Sequence, residues 1–381
     1  MKTFEVKTKI NFGERALDRL LDFTNERVLI IADPFVVSSG LIHQVMQRLN
    51  RTQAVCEVYQ DVIPDPPVEK VIAGVRKMME FDPDCMVAVG GGSAIDLAKG
   101  VRKFASEMNG GKRIPMLAIP TTSGTGSEVT SFAVISDPAA HRKYPLSAED
   151  MIPDEAILDE ELVKSVPAAI TADTGMDVMT HAIEAYVSVN NNEFSGALAE
   201  KSVEICGQFL LRSYADNNDS HARRKMHIAS CLAGLAFNSA SLGLNHGMAH
   251  QLGAIFHIPH GRANAILLPY IIEYNSRIDK ISRSSKDYAP CVKKYCNMAR
   301  ILGVNNLNEV TTIRALVAYI QFMSREMGIP THISELGSIS EGEYFAEIER
   351  MAMGALADGC TATNPRVPTK QEVMDLYRAI W

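Results

Sequence analysis

Asp177 and His181 stand four residues apart in the stretch Gly175-Met176-Asp177-Val178-Met179-Thr180-His181. That spacing sets both side chains on one face of a helix. Further along, Gly243 to Gly253 carries His246 and His250, and Phe256 to Gly261 carries His257 and His260. Together with His181, these stretches hold five of the chain's ten histidines. One carboxylate with several imidazoles is a ligand set suited to Fe²⁺ or Zn²⁺. Taken singly, each histidine could be a hydrogen-bonded core residue, and Asp177 with His181 could be a plain helix pair. The neighbours, however, are Gly, Ala, Leu and Met, an apolar setting in which clustered polar groups are costly unless something compensates them. A shared cation would compensate several at once.

A second group of residues suits phosphate. Gly90-Gly91-Gly92-Ser93 follows the apolar run Met86 to Val89 and opens a helical pattern. Glycines let a backbone approach phosphate closely, and a helix start offers amide donors. Asp96 falls in the first helical turn. Ile95 stands where the third glycine of a Gly-x-Gly-x-x-Gly fingerprint would be, so the usual dinucleotide fingerprint is not met. The acid that could face a ribose, Asp33, precedes the glycines at the end of an earlier apolar run. It could equally be a helix cap. After the next apolar run comes Pro120-Thr121-Thr122-Ser123-Gly124-Thr125-Gly126, a loop rich in hydroxyls and glycines that could bind phosphate or ribose oxygens.

The elements that must position these residues divide the chain in two. Up to about residue 167, short apolar runs alternate with helical patterns: Val28 to Asp33, Gln53 to Tyr59, Met86 to Val89 and Met116 to Ile119 read as strands. Leu41 to Leu49, Val68 to Glu80 and Ala94 to Phe104 read as helices. Such alternation predicts a parallel α/β sheet, whose ligands bind at the carboxyl ends of the strands. From Thr171 the periodicity is helical. The expectation is an α/β domain over 1–167 and an all-α domain over 168–381.

The 38 basic and 45 acidic residues leave a net charge of −7, which argues against nucleic acid or an anionic membrane surface as partners. No apolar run is long enough for a membrane span, and Ala263 to Ile272 is interrupted by Pro269. Seven cysteines without a Cys-x-x-Cys pair, behind an N-terminus with no apolar signal segment, predict reduced thiols in a cytoplasm.

The motifs GGGSAIDLAK, PTTSGTGSEVT, GMDVMTHAIEAY and NHGMAHQLGAIFHIPHG, in this order, resemble those of the iron-containing alcohol dehydrogenases. Within that family the chain looks most like 1-propanol dehydrogenases of propanediol utilisation and lactaldehyde reductases. The resemblance implies a parallel-sheet NAD-binding domain and a helical metal-binding domain, the dehydroquinate synthase-like arrangement, with the site in the cleft between them. It implies that Asp177, His181, His246 and His260 hold Fe²⁺, with Zn²⁺ also possible, and that His250 lies near the reacting centre and could pass the alcohol proton. It implies that Gly90, Gly91, Gly92 and Ser93 hold the pyrophosphate of NAD(H), that Asp96, Thr121, Thr122 and Lys143 serve the cofactor, and that Asp33 faces the adenosine ribose. The expected reaction is hydride exchange between NAD(H) and a short-chain primary alcohol or aldehyde, such as 1-propanol and propanal. A homodimer or larger homo-oligomer is expected, in the cytoplasm or packed inside a bacterial microcompartment.

Two departures from the family pattern stand out. Gln251 follows His250 where members often carry Pro, and Asp65-Pro66-Pro67 stands where many have Asn-Pro-Thr. The nearest rival reading keeps the scaffold and changes the substrate to 1,3-propanediol, lactaldehyde or glycerol. A more distant one is a scaffold protein of a microcompartment, which would have no need of a complete ligand set.

Overall fold

The computed structural model describes residues 3–24, 26–137, 142–277 and 291–381, with 137 and 142–145 described by backbone alone. The chain divides into two compact units, Met1–Val166 and Pro167–Trp381.

The first unit contains eight strands among the described residues: β1 (Lys9–Phe12), β2 (Arg27–Ala32), β3 (Val55–Tyr59), β4 (Cys85–Gly90), β5 (Met116–Pro120), β6 (Phe132–Asp137), β7 (Arg142–Ser147) and β8 (Glu155–Leu158). Its helices are α1 (Pro34–Ser38), α2 (Ile42–Arg51), α3 (Val68–Phe81) and α4 (Gly92–Met108). Six strands form a parallel sheet in the order β1-β8-β5-β4-β2-β3. Strands β2, β4 and β5 are apolar at nearly every position because both of their faces are covered. Leu29, Ile31, Met86 and Ala88 point to one core with α3 and α4. Val28, Ile30, Val87 and Val89 alternate to the other, with α2 and the turn around Leu17 and Leu20.

The chain runs from β2 outward to β3, then returns to β4 on the far side of β2 and continues to β5. The gap between the carboxyl ends of β2 and β4 is therefore the point where strand order reverses, the place where open α/β sheets bind ligands. Register sets Ala32 beside Val89 and Gly90 beside Pro120, so three loops leave the sheet side by side.

The sequence pattern finds β2 to β5 and the helices α2, α3 and α4. It misses β1 and β8, which pair with each other across more than a hundred residues, and the antiparallel hairpin β6–β7. β1 is only four residues long with a half-exposed pattern, so no apolar run announces it.

The second unit is helical: α5 (Ala168–Val187), α6 (Glu193–Ala215), α7 (Ser220–Ala240), α8 (Leu244–Phe256), α9 (His260–Ser276), α10 (Val292–Ile301), α11 (Glu309–Glu326), α12 (Glu341–Ala357) and α13 (Lys370–Ala379). Capping boxes start α6 at Asn192, α11 at Asn308, α12 at Ser340 and α13 at Thr369. Each cap satisfies orphan amides and is worth about 1 kcal/mol. Helix α5 packs on α6, α7 and α9, while α8 packs on α9 and α12. The direction changes by 108° between α7 and α8, through Ser241 at φ +60°. No single helix among the described residues is long and apolar enough to cross a membrane. None of the seven cysteines, all of them described, forms a disulfide.

Candidate functional site

In the helical unit, three helices bring four of the expected side chains together. Helix α5 supplies Asp177 and His181, both buried, one turn apart. Helix α8 supplies His246, 1% exposed, from its first turn. Residue His260 is the first residue of α9. Asp177 Oδ1 lies 3.9 Å from His181 Nε2, 3.6 Å from His246 Nε2 and 3.6 Å from His260 Nε2. A four-coordinate cation with bonds of about 2.1 Å holds its donors about 3.4 Å apart. One acid and three imidazole nitrogens at this separation therefore fit a divalent metal, as a donor set and as a cage. The rings of His181 and His246 stack at 4.6 Å, and His181 also leans on Phe237 at 4.7 Å. Burial alone would push the Asp177 carboxyl up, but the surrounding imidazoles outweigh it and hold it far below the usual range. The cage is not closed: the His260 side chain keeps 43% of its surface exposed.

One turn beyond His246 on α8, His250 stacks on His260 with ring centres 5.4 Å apart. Its Nδ1 lies 2.8 Å from Asp358 Oδ2, just after α12. Burial would raise the Asp358 carboxyl, yet the hydrogen bond to His250 brings it down to about 2. An ionised carboxylate there fixes Nδ1 as the protonated nitrogen and leaves Nε2 to accept a proton. Asp358 was not legible in the sequence, because 108 residues separate it from its partner. Glu184 was missed too, although it continues the Asp177/His181 face of α5. Its carboxylate meets the His246 ring at 2.5 Å. Asn264 on α9 completes the surround, donating to Asp177 Oδ1 at 2.7 Å. The unusual Gln251 lies against Gly354 of α12, where a methyl group would sit 2.1 Å from its Oε1.

In the α/β unit, the loops after β2, β4 and β5 gather Asp33, Gly90, Gly91, Gly92, Ser93, Thr121 and Thr122. Asp33 does cap a helix, accepting from Val36 N at 2.8 Å. Its other oxygen accepts from Gly91 N at 3.3 Å, tying the acid to the glycine loop. A carboxylate has about four acceptor positions, so capping leaves capacity for a ribose. Gly90 sits at φ +154°, and a Cβ there would lie 2.4 Å from Asp33 Oδ2. The Gly90 carbonyl accepts from Thr121 N at 3.0 Å, so the two loops are stitched together. With Gly91 N taken, the amides of Gly92 and Ser93 at the start of α4 are the ones left for an anion.

Asp96 sits differently from the other expected cofactor residues. It accepts from Ser127 Oγ at 2.5 Å and from Val134 N at 2.9 Å, so both oxygens serve the protein beneath the hydroxyl loop. Beside it, the fully buried Lys99 donates to Ser127 Oγ, Thr130 Oγ1 and Phe132 O at 2.9, 3.1 and 2.7 Å. Desolvation pulls Lys99 down to about 8 and pushes the buried Glu128 up to about 7. Lys143 pairs through its backbone with Ser136 in the β6–β7 hairpin; its side chain lies outside the described residues.

Comparison with known proteins bears on both units. Residues 7–160 match the family model "Iron-containing alcohol dehydrogenase" and residues 171–381 match "Fe-containing alcohol dehydrogenase family, C-terminal". The 1-propanol dehydrogenase PduQ of Citrobacter freundii is 42% identical, with all of both chains covered. The NADPH-dependent butanol dehydrogenase of Clostridium saccharobutylicum is 35% identical over all of this chain and 98% of that one. A crystal structure of 1,3-propanediol oxidoreductase superposes with a TM-score of 0.90 at 30% identity, covering all of both chains. Matched in both halves and over its whole length, the chain belongs to the iron-containing alcohol dehydrogenase family and is an oxidoreductase.

Proposed function

We propose that this enzyme interconverts short-chain primary alcohols and aldehydes with NAD(H) and one divalent cation held by Asp177, His181, His246 and His260. The observation that carries the reading is the cage itself: four donors from three helices converge, the three imidazoles lying 3.6–3.9 Å from Asp177 Oδ1. A divalent cation there would supply a Lewis acid for an alcohol or carbonyl oxygen, while the nicotinamide would exchange the hydride.

The chain's own residues supply the rest. The half-exposed side of the cage, at His260 and His250, is where a small substrate could approach. Nε2 of His250 would take the alcohol proton in oxidation and return it in reduction, with Asp358 holding the ring. The amides of Gly92 and Ser93 and the hydroxyls of Thr121 and Thr122 would bind the cofactor phosphates and ribose. A carboxylate at Asp33 accepts hydrogen bonds from both ribose hydroxyls and repels a 2′-phosphate, which favours NAD(H) over NADP(H). Asp96 and Lys99 are assigned a positioning role under the hydroxyl loop. Lys143 is kept as a cofactor contact on the strength of the motif.

The resemblance to a 1-propanol dehydrogenase favours propanal and 1-propanol, and the structural likeness to a 1,3-propanediol oxidoreductase keeps that diol in view. A homo-oligomer is part of the same proposal: β1 is a sheet edge, and Phe12 on it is 65% exposed. Location in the cytoplasm or inside a microcompartment rests on the family resemblance, and fractionation of the native host checks it. The test of function is anaerobic purification, metal analysis and NADH oxidation across propanal, lactaldehyde and 3-hydroxypropanal, with glycerol and 1,3-propanediol in the reverse direction. Chelation should abolish turnover and Fe²⁺ should restore it. Full turnover by protein proven free of metal would end this reading.

A further inference from the structure

Glu184 has an environment that a helix surface residue would not need. It follows Asp177 by seven positions and His181 by three, on the same face of α5, and is 3% exposed. Its Oε1 accepts from Asn245 N at 2.8 Å. Its Oε2 accepts from His246 N at 3.3 Å and lies 2.5 Å from His246 Nδ1. Space for it is made by Gly243, where a Cβ would lie 2.6 Å from Oε1.

We infer that Glu184 is the positioning residue of the metal centre: it fixes His246 with the proton on Nδ1 and supplies the second negative charge that balances a buried dication. This rests on the metal-binding reading of the Asp177 cage.

Three features of the site support this role. The first is the tautomer. A carboxylate can only accept, so the ring nitrogen facing it must donate, and the opposite nitrogen then carries a lone pair. That opposite nitrogen, Nε2, is the one 3.6 Å from Asp177 Oδ1. Without an acceptor at Nδ1, the imidazole could place its proton on the wrong side and present N–H to a cation.

The second is charge. Three neutral imidazoles and one Asp177 carboxylate leave a dication with one uncompensated positive charge, in a region where His181, His246 and Asp177 are all nearly inaccessible. Isolated buried charge is expensive. The other charged groups nearby are engaged elsewhere: Arg262 pairs with Asp173 at 3.1 Å, and the Asp358 carboxylate is hydrogen-bonded at 2.8 Å to His250, which is not one of the four ligands. Among the described residues, Glu184 is the buried carboxylate hydrogen-bonded to a ligand imidazole.

The third is continuity. Asn245, whose amide binds Glu184, donates its side chain to Asn264 Oδ1 at 2.8 Å, and Asn264 donates to Asp177 Oδ1 at 2.7 Å. The two carboxylates are thus held at fixed positions by one hydrogen-bonded run of wholly buried groups. Outer partners of this kind fix ligand orientation and raise ligand basicity.

A purely structural account is available: Glu184 also accepts from two amides in the first turn of α8, as a helix cap would. Glu184→Gln separates the two accounts, because the amide oxygen can still accept but the charge is gone. The experiment uses the full-length protein, stripped of metal and reloaded with Zn²⁺ or Co²⁺ against a competing chelator. Wild type should bind one ion per chain, and His246→Ala should lose it. Glu184→Gln should bind Zn²⁺ about 10- to 100-fold more weakly, with a shifted Co²⁺ ligand-field spectrum and an apo melting temperature close to wild type. Glu184→Ala should be weaker still. Affinity and Co²⁺ spectrum unchanged in Glu184→Gln, with His246→Ala empty, would overturn this inference alone. A wild type without a bound ion, or His246→Ala retaining it, would overturn the metal-centre reading and this one with it.

Discussion

At the carboxyl edge of the sheet, the groups that could meet a ligand are backbone amides and short hydroxyls on loops leaving β2, β4 and β5. In the helical unit they are charged or ionisable side chains carried by α5, α8 and α9. The first arrangement spreads recognition over many weak donors whose positions are set by strand register. The second concentrates it in four atoms, each dependent on one helix, with Glu184 and Asn264 bonded around them. A change in the helical site should therefore be close to all-or-none in turnover. One at the sheet edge should be graded and felt mainly in cofactor affinity.

The sharpest way to break that contrast is His250→Ala. If Nε2 of this ring moves the substrate proton, kcat should fall by about a hundredfold or more, the usual worth of general acid–base catalysis, while the bound metal stays at wild-type stoichiometry. Steady-state rates with propanal and NADH, together with metal analysis, check both halves. An unchanged kcat would remove His250 from the chemistry and leave the cage as the whole of the helical site.

A smaller effect is expected at Asp33. Glycine at an N-cap costs only a few tenths of a kcal/mol relative to a capping acid, so Asp33→Gly tests the ribose role with little disturbance of α1. The NAD(H)-over-NADP(H) ratio of kcat/KM should drop by about tenfold, equivalent to ~1.4 kcal/mol, chiefly through KM. The likeness to an NADPH-dependent butanol dehydrogenase makes this ratio worth measuring in wild type as well. Equal efficiency with both cofactors before mutation would refute the preference outright.

The contrast also explains what could be read from the amino-acid sequence. Local signals survive in one dimension: three glycines after an apolar run, an acid and a histidine four apart, paired histidines in one helix. These gave four of the six sheet strands, the helical second half and the histidine-rich stretches, from which the family resemblance picked out the residues that meet at Asp177. Signals that exist only in three dimensions did not. Strand β1 finds β8 across the whole unit, and Asp358 finds His250 across four helices. Glu184 was one helical turn from a residue already singled out, but an acid in an apolar helix does not reveal which ring it will face. Asp96 adds a different lesson. Its place after the glycines suggested a ligand contact, and what one dimension does not reveal is that tertiary packing also gives its two oxygens partners in Ser127 and Val134.

The effect expected least in turnover lies beneath the hydroxyl loop, where the sheet edge does contain buried charge and the readout is stability. Glu128 is 2% exposed, and desolvation raises its carboxyl to about 7 in the folded protein, against roughly 4.3 for an unperturbed glutamate. Between those values the folded chain holds a proton that the unfolded chain has released. Stability attributable to this group must therefore fall as pH rises from about 4.3 to about 7. Lys99, lowered to about 8 by the same burial, acts in the opposite sense. Above pH 8 the unfolded chain binds the extra proton, so this contribution rises with pH up to about 10.4. The pair thus makes the α/β unit least favoured between about 7 and 8, where both are charged. Glu128→Gln should remove the acid-side slope, a change on the order of 4 kcal/mol at most across that interval, and leave the alkaline side standing. Urea unfolding of wild type and variant at half-unit steps from pH 4.5 to 9 measures it. Parallel curves for the two proteins would mean that Glu128 is solvated in solution and that its charge, unlike those of the helical cage, is of no consequence to this edge of the sheet.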